Sequence, residues 1–243
     1  MTRAPEETDI LCENCGYMLN GLPDSGNCPE CGSPIDLSVS ERFRTPPLWE
    51  DANRPLWDRF FRTSARIIFQ PRRFYRSMTS RGQVAPAVRF AQIHLVLAAL
   101  LLGWAANLHW LWYQTDIVGY VVHPVWVYFA VPASLYGGAY LALLLLIRVA
   151  ARLTTWEATY RGYRLPHRVV LRAMYYHTAH LFPVALAALI TVWGYTQLRG
   201  YGYLQLTSAT AYLYVLSGQI IVSAIYLFDT YWIAMRNLMY ANR

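Results

Sequence analysis

Residues 91–113 read AQIHLVLAALLLGWAANLHWLWY, a run without Asp, Glu, Lys or Arg. A helix needs about 20 mostly apolar residues to cross a hydrocarbon core of about 30 Å. Residues 121–147, 175–198 and 209–233 are comparably long and apolar. Together they predict an all-α polytopic membrane bundle of about four transmembrane helices, over residues 87–236. The prolines and glycines of the second stretch leave three or five spans as alternatives.

All 21 basic residues of the chain are arginine, and the segments between the apolar stretches hold them unequally. Twelve precede the first stretch, six lie between the second and third, two follow the fourth, and Arg199 alone lies in the other two loops. Cytoplasmic loops carry the excess of basic residues in membrane proteins. We therefore expect a multi-pass protein of the bacterial inner (cytoplasmic) membrane with cytoplasmic N- and C-termini. The first forty residues lack the apolar region of a signal peptide, so the first span is expected to act as an uncleaved insertion signal.

The four cysteines of the chain form two Cys-x-x-Cys pairs, each followed by glycine: Cys12 with Cys15, and Cys28 with Cys31. Two such pairs are typical of a tetrahedral zinc site with four thiolate ligands. Four protein ligands leave no open position for water, so we expect a structural Zn²⁺ in a small N-terminal β-type zinc ribbon. Two disulfides or a redox dithiol are the alternatives, and a reducing cytosol disfavours the disulfides.

The predicted ribbon, residues 1–37, is acidic, and residues 38–53 are predicted as a linker. Residues 1–41 contain eight acidic side chains and one arginine, although the whole chain has a formal net charge of +7. An acidic ribbon repels phosphate, so nucleic acid is an unlikely partner. We expect the ribbon to bind a protein partner or to dock on the basic cytoplasmic face of the chain.

Residues 54–80 predict a basic amphipathic helix, which Pro71 should break into two halves. Such a helix is suited to the headgroup layer of a bilayer with an anionic inner leaflet. The alternative is that its apolar face packs on the spans of the same chain. The apolar side chains are Trp57, Phe60, Phe61, Ile67, Ile68, Phe74, Tyr75 and Met78, and the opposing arginines are Arg59, Arg62, Arg66, Arg73 and Arg76.

Among the ionisable residues within the apolar stretches, we single out His94, His177, His180 and Asp229. At 1.5 Å per residue they lie at a similar depth, about 7–12 Å below the cytoplasmic boundary. Such an intramembrane cluster could bind a metal or relay protons in a small transporter or metal-handling protein. The alternative is that these side chains only form hydrogen bonds between helices.

The sequence contains no His-Glu-x-x-His, Gly-x-Ser-x-Gly or Walker pattern, and no paired general acid and base is evident. We therefore expect no enzymatic activity. The favoured function is protein interaction or membrane organisation, and the transporter is the alternative.

Two segments carry a family resemblance. The head, with Cys12-Glu-Asn-Cys15-Gly16-Tyr17 and Cys28-Pro-Glu-Cys31-Gly32, resembles zinc ribbons fused to bacterial membrane proteins. Residues 66–76, RIIFQPRRFYR, resemble the start of a bacterial Yip-family membrane domain, in which a Pro-x-x-Phe-aromatic step on an interfacial helix leads into the bundle. The resemblance covers about residues 57–233 and implies a Yip-like helical domain. Eukaryotic Yip proteins usually have five spans and an acidic glycine-proline motif not found here, so a Rab-type partner is not implied.

Overall fold

The computed structural model describes residues 9–39, 44–79, 82–119, 122–161, 163, 165–200 and 209–241. Parts of the predicted segments lie outside these ranges: residues 1–8 of the ribbon, 40–43 of the linker, residue 80 of the amphipathic helix, and residues 120–121, 162, 164 and 201–208 of the bundle. The helices are α1 (Asp36–Val39), α2 (Leu56–Phe69), α3 (Pro71–Ser77), α4 (Val84–Tyr113), α5 (Val127–Tyr160), α6 (His167–His177), α7 (Leu181–Gly200) and α8 (Ala209–Leu238). Short 3-10 helices cover Leu48–Glu50 and Thr178–His180, and a π-helical turn, Gln114–Val118, extends α4.

Four helical segments are long and apolar enough to cross a membrane, as the sequence predicts: Val84–Val118, Val127–Tyr160, His167–Arg199 and Ala209–Leu238. The second is one continuous helix although Pro132 lies within it. Pro132 follows the helix start by only five residues, so few backbone bonds precede the one it removes. Within the described residues, four candidate spans are therefore found, which matches the favoured number.

The predicted β-type ribbon is reduced to isolated bridges in the described residues. Leu11 pairs with Met18 and Asn27 with Pro34, both antiparallel, and neither pair extends into a strand. The turns around the cysteines are too close together to leave room for longer strands.

The chain divides into two compact units. Unit 1 comprises Met1–Ala91, Ile147–Ala179 and Thr230–Arg243, and unit 2 comprises Gln92–Leu146 and His180–Asp229. Unit 1 thus contains the cysteine head, α2 and α3 together with the arginine-rich ends of the long helices. Unit 2 contains the remaining, charge-poor parts of the long helices.

An aromatic core packs the predicted linker into unit 1. Trp49 contacts Phe60 of α2 and Phe90 of α4 at centroid distances of 6.1 and 5.6 Å, and its Nε1 donates to the Pro86 carbonyl at 2.7 Å. Phe90 in turn contacts Tyr176 of α6 at 5.2 Å. The buried indole of Trp49 therefore anchors this segment to the start of the first apolar helix.

Pro71 ends the amphipathic helix as predicted, because α2 stops at Phe69 and α3 starts with Pro71 at its first position. The predicted apolar face is divided between two environments. Phe60, Ile67 and Phe74 are buried within unit 1, whereas Trp57 and Phe61 are exposed. Packing on the chain's own helices therefore accounts for only part of that face.

Unit 2 is built around aromatic contacts. Trp112, Tyr195 and Tyr212 form a buried cluster in which the two tyrosine rings stack at 4.0 Å. A Cβ at Gly103 would overlap the Tyr136 ring, so α4 and α5 approach closely at that glycine. Small residues that permit close approach are a usual means of packing apolar helices.

Candidate metal centre

Each Cys-x-x-Cys pair closes a tight turn. The Gly16 amide donates to the Cys12 carbonyl at 2.8 Å, and the Gly32 amide donates to the Cys28 carbonyl at 2.9 Å. Both glycines adopt positive φ, +80° and +71°. That region of backbone space is costly for residues with a Cβ, so glycine is the residue suited to both turns.

The two turns repeat one structure at an offset of sixteen residues. Cys12 N donates to Tyr17 O, and sixteen residues later Cys28 N donates to Ser33 O, both at 2.8 Å. The bridge between Leu11 and Met18 likewise has its counterpart between Asn27 and Pro34. The repeat brings the two cysteine pairs together from opposite sides as equivalent halves of one site.

The four sulfur atoms converge at a spacing that suits one metal ion. Cys12 Sγ lies 3.6 Å from Cys31 Sγ, and Cys15 Sγ lies 3.6 Å from Cys28 Sγ. All four sulfurs lie within 4.8 Å of one another, and all four cysteines are free. Tetrahedral Zn–S bonds of about 2.3 Å would separate the sulfurs by about 3.8 Å, whereas a disulfide needs about 2.05 Å. The site therefore fits a metal ion and contains no disulfide.

Few apolar residues support the site. Cys12 and Cys28 pack against the buried side chains of Leu19 and Ile35, and Leu22 and Val39 lie at the edge of this cluster. A core this small supplies little hydrophobic stabilisation, and domains of fewer than about 40 residues usually depend on metals or disulfides. The head is therefore the kind of fold that a bound metal would stabilise.

Burial raises the pKa of the Cys12 thiol and raises that of Cys15 to about 12. The neighbouring Ser33 hydroxyl is the main cause that lowers the pKa of Cys31 to about 5. A metal that binds all four sulfurs as thiolates must therefore displace protons from Cys12 and Cys15.

Arg44 connects the first cysteine turn to the ends of two helices. Its Nε and Nη2 donate to the two carboxylate oxygens of Glu13 at 2.7 and 2.9 Å. Its Nη1 donates to the Met78 carbonyl at 3.0 Å, and its Nη2 donates to the Asn237 carbonyl at 3.1 Å. These carbonyls lie at the C-terminal ends of α3 and α8, where backbone acceptors lack helical partners and a cation is favoured. The guanidinium thus holds the first cysteine turn against the C-terminal ends of α3 and α8.

Gly16 provides a second connection between the cysteine head and the C-terminal segment. A Cβ at this glycine would lie 2.5 Å from Cε1 of Tyr240. The ring of Tyr240 therefore rests directly on the backbone of the metal turn. Sequence reasoning missed Arg44 and Tyr240, because neither belongs to a motif and each acts only through contacts between distant segments.

A buried ionic group lies elsewhere in unit 1. Arg172 Nη2 donates to Glu50 Oε1 at 2.6 Å, and the Tyr176 hydroxyl donates to the same oxygen at 2.6 Å. Arg172 Nη1 also donates to the Thr79 carbonyl. A Cβ at Gly82 would overlap the guanidinium, so this glycine makes room for it. In the sequence Arg172 is one of six arginines between the second and third apolar stretches, and no motif marks Glu50 as its partner.

The polar residues predicted within the spans have separate partners. His177 Nε2 lies 3.0 Å from Thr230 Oγ1, and both residues belong to unit 1. His180 Nδ1 lies 2.7 Å from the Tyr226 hydroxyl, and both belong to unit 2. These pairs have the form of hydrogen bonds between helices.

His94 and Asp229 differ in burial, since His94 is buried and Asp229 is exposed. Over the described ranges, the four cysteines are the one group of three or more His, Cys, Asp or Glu side chains that could hold a metal ion. A shared role for His94, His177, His180 and Asp229 stays a prediction without a common ligand geometry to support it.

None of three comparisons, with protein-family models, with curated proteins and with solved structures, finds a significant match to this chain.

Proposed function

We propose that this chain is a multi-pass protein of the bacterial inner membrane whose cytoplasmic head is a zinc-stabilised cap that serves protein interaction or membrane organisation. The observation that carries the proposal is the four-sulfur site tied through Glu13 and Arg44 to the ends of α3 and α8. The metal would thus act on the position of the head, without a chemical step.

Zinc is proposed because of the donor set. Four thiolates in a tetrahedral arrangement are characteristic of structural zinc, and a closed coordination shell binds no substrate. The positive-φ glycines after both pairs and the sulfur spacing of 3.6 Å support that assignment. The zinc-ribbon resemblance remains a proposal on the same grounds.

The orientation is proposed from the arginine distribution and the burial of the long helices. In α5 and in α8 only 6% of an 18-residue apolar segment is buried, whereas 39% of the corresponding segment is buried in the helix that starts at Val84. Large apolar faces left on the surface suit helices in contact with lipid. With cytoplasmic termini, the cysteine head would lie in a reducing compartment, which favours metal over disulfide. The Yip-like layout of an interfacial helix followed by spans remains part of this proposal.

Transport is not favoured by the contacts within the spans. His177 and His180 each face a hydroxyl of α8 in different units, and both contacts have the form of hydrogen bonds between helices. Hydrogen bonds of this kind contribute about 0.6–2 kcal/mol between membrane helices. We therefore propose a role without ion transport and without catalysis.

Metal analysis of the purified full chain tests the zinc cap. We expect about one zinc per chain, as a closed four-thiolate site implies, and none in the double variant Cys12→Ser, Cys28→Ser. Glu30→Gln is the matched control, since Glu30 is an exposed non-ligand between two cysteines and should retain the metal. Absence of zinc from the native chain and the control alike would contradict the proposal.

Flux measurements in reconstituted vesicles test the exclusion of transport. We expect no proton or zinc flux from the native chain, and Thr230→Val should lower stability without changing that result. A flux present in the native chain and abolished by His177→Ala, with zinc still bound to the head, would establish the transporter instead.

A further inference from the structure

Helix α2 has three faces instead of the two that an amphipathic pattern suggests. One face is buried in unit 1 through Phe60, Thr63, Ser64 and Ile67. The adjoining flank carries the exposed side chains of Trp57 and Phe61, which are 70% and 61% exposed, and Phe69, which is 79% exposed, lies further round the helix at its C-terminal end. The third face carries Asp58, Arg62 and Arg66.

Two of the exposed aromatic side chains stack on each other. Trp57 and Phe61, one helical turn apart, have ring centroids 6.1 Å apart and planes inclined by 23°. The partly buried Ile68, seven residues after Phe61, continues the same side, and Phe69 lies about 80° further round the helix axis. Large apolar side chains grouped outside the core form a patch that a soluble surface rarely keeps uncovered.

The position of α2 limits what can cover this flank. Phe60 contacts Phe90 at 5.7 Å, and Phe90 directly precedes the uncharged run of α4. The helix therefore lies where the first candidate span begins. A segment held at that level meets the boundary between headgroups and acyl chains.

The charges beside the flank fit an anionic surface. Exposed arginines continue from α2 into α3 at Arg66, Arg72, Arg73 and Arg76. Within the described part of the chain, Arg66, Arg72 and Arg73 form no ion pair, so their charge is available to an external anion. Basic residues next to a lipid surface gain from its negative potential, and aromatic side chains are enriched at that depth.

We propose that the flank formed by Trp57 and Phe61, together with Phe69 at the helix end, inserts into the boundary layer of an anionic leaflet, while Arg66 and Arg72 bind lipid phosphates; Arg62 is paired with Asp58 at 2.6 Å. This inference rests on the proposed membrane location and adds the residues and lipid class of the contact. The insertion fixes the depth of α2, and α2 in turn carries the aromatic core of unit 1.

Photocrosslinking tests the inserted flank. The full chain is reconstituted into vesicles of phosphatidylcholine with phosphatidylglycerol, with p-benzoylphenylalanine introduced in place of Trp57, Phe61 or Phe69. We expect a phospholipid adduct in the mass spectrum at each position. The matched control is Tyr17 of the acidic head, an exposed aromatic residue that should give no lipid adduct. Adducts to protein, or no adduct at the three positions, would overturn the proposal.

A second probe position separates this inference from the membrane proposal. Phe228 is exposed on α8 within a candidate span, so a lipid adduct there reports that the chain is embedded. Adducts at Phe228 but not on the α2 flank would reject the inserted flank alone. Failure at Phe228 as well would reject the membrane location.

The charge of the leaflet is tested with the double variant Arg66→Gln, Arg72→Gln. We expect a several-fold lower adduct yield at Phe61 in vesicles with phosphatidylglycerol and no change in pure phosphatidylcholine. Arg161→Gln is the control, since this exposed arginine lies on α5's end and pairs with Glu157. An equal yield from native and double-variant chains would contradict phosphate binding by these two arginines.

Discussion

Each of the two units contains an arginine–carboxylate pair, and the two pairs have different surroundings. In unit 1 the Arg172 side chain is 1% exposed, and its partner Glu50 also accepts a hydrogen bond from Tyr176. In unit 2 the pair of Arg199 and Asp116 is 30% and 20% exposed. Other polar contacts of unit 2, such as His109 with Tyr212, join side chains that can both be neutral.

The difference shows how each unit satisfies its polar groups. Unit 1 buries full charge where the Thr79 carbonyl and the Glu50 carboxylate accept hydrogen bonds from the guanidinium and the Tyr176 hydroxyl donates a further one to Glu50. Unit 2 consists of the charge-poor parts of the candidate spans, where ionised groups are expensive and neutral hydrogen bonds and aromatic packing replace them. The two units should therefore respond differently to metal removal and to loss of charge.

The largest difference should follow removal of the metal. Structural zinc contributes about 10–16 kcal/mol of apparent binding free energy to small domains, so chelation should unfold residues 9–39 and leave unit 2 unchanged. Hydrogen exchange measured peptide by peptide should show loss of protection in the head only. Equal loss of protection in α7 and in residues 209–229 of α8, which belong to unit 2, would contradict the expected difference between the units.

The affinity of the head for zinc should depend on pH. Burial raises the pKa of Cys12 and of Cys15, so both thiols are protonated without metal at neutral pH and must lose protons when zinc binds. Zinc affinity should therefore increase as the pH rises and decrease as it falls, in competition with a chelator of known pH dependence. An affinity independent of pH would contradict four-thiolate binding.

Loss of the buried charge pair should have the next largest effect. Arg172→Met leaves Glu50 without its cation in a buried site and should lower the free energy of unfolding of unit 1 by about 3–5 kcal/mol. Arg199→Met is the control in unit 2, with an expected loss of about 0–1 kcal/mol because that pair is partly exposed. Denaturant titration in detergent measures both, and the added change Glu50→Gln should recover part of the loss. Equal losses at the two arginines would remove the distinction between the units.

Two glycines of the head allow a finer test of its docking. Gly16 and Gly21 have φ of +80° and +79°, but only a Cβ at Gly16 would meet Tyr240. Left-handed backbone costs about 1–2 kcal/mol for other residues, so Gly21→Ala should lose that amount and Gly16→Ala more. The excess should shrink in a Tyr240→Ala background. Thermal unfolding measures all four variants, and equal losses for the two glycines would contradict the contact.

The smallest effect is expected in unit 2. Tyr212→Phe removes the hydroxyl that lies 2.8 Å from His109 Nδ1 and should cost about 0.6 kcal/mol, the average for such bonds between membrane helices. Tyr214→Phe is the control, because Tyr214 is exposed on the same helix. A loss of several kcal/mol in Tyr212→Phe would show that unit 2 depends on polar contacts as strongly as unit 1.

The sequence predicted the parts of this protein that depend on local composition and spacing. Four long apolar stretches predicted the four long helices. The fixed φ and missing amide of Pro71 predicted the break between α2 and α3, and the cysteine spacing predicted a site that could hold a metal. The sequence did not predict that the apolar face of α2 is partly buried and partly exposed. Helical periodicity gives a single direction for the whole face, and only the packing around Phe60 decides which of its side chains are buried.

Length, hydropathy and the spacing of thiols therefore determined that the chain forms long apolar helices and a four-cysteine head, since each property acts within one segment. The attachment of that head through Arg44 and Tyr240, and the burial of Arg172 with Glu50, were decided only by the tertiary structure. These contacts join residues separated by more than a hundred positions. The sequence shows that a charged or aromatic side chain is present, but only folding decides which distant residue comes within hydrogen-bonding or van der Waals distance of it.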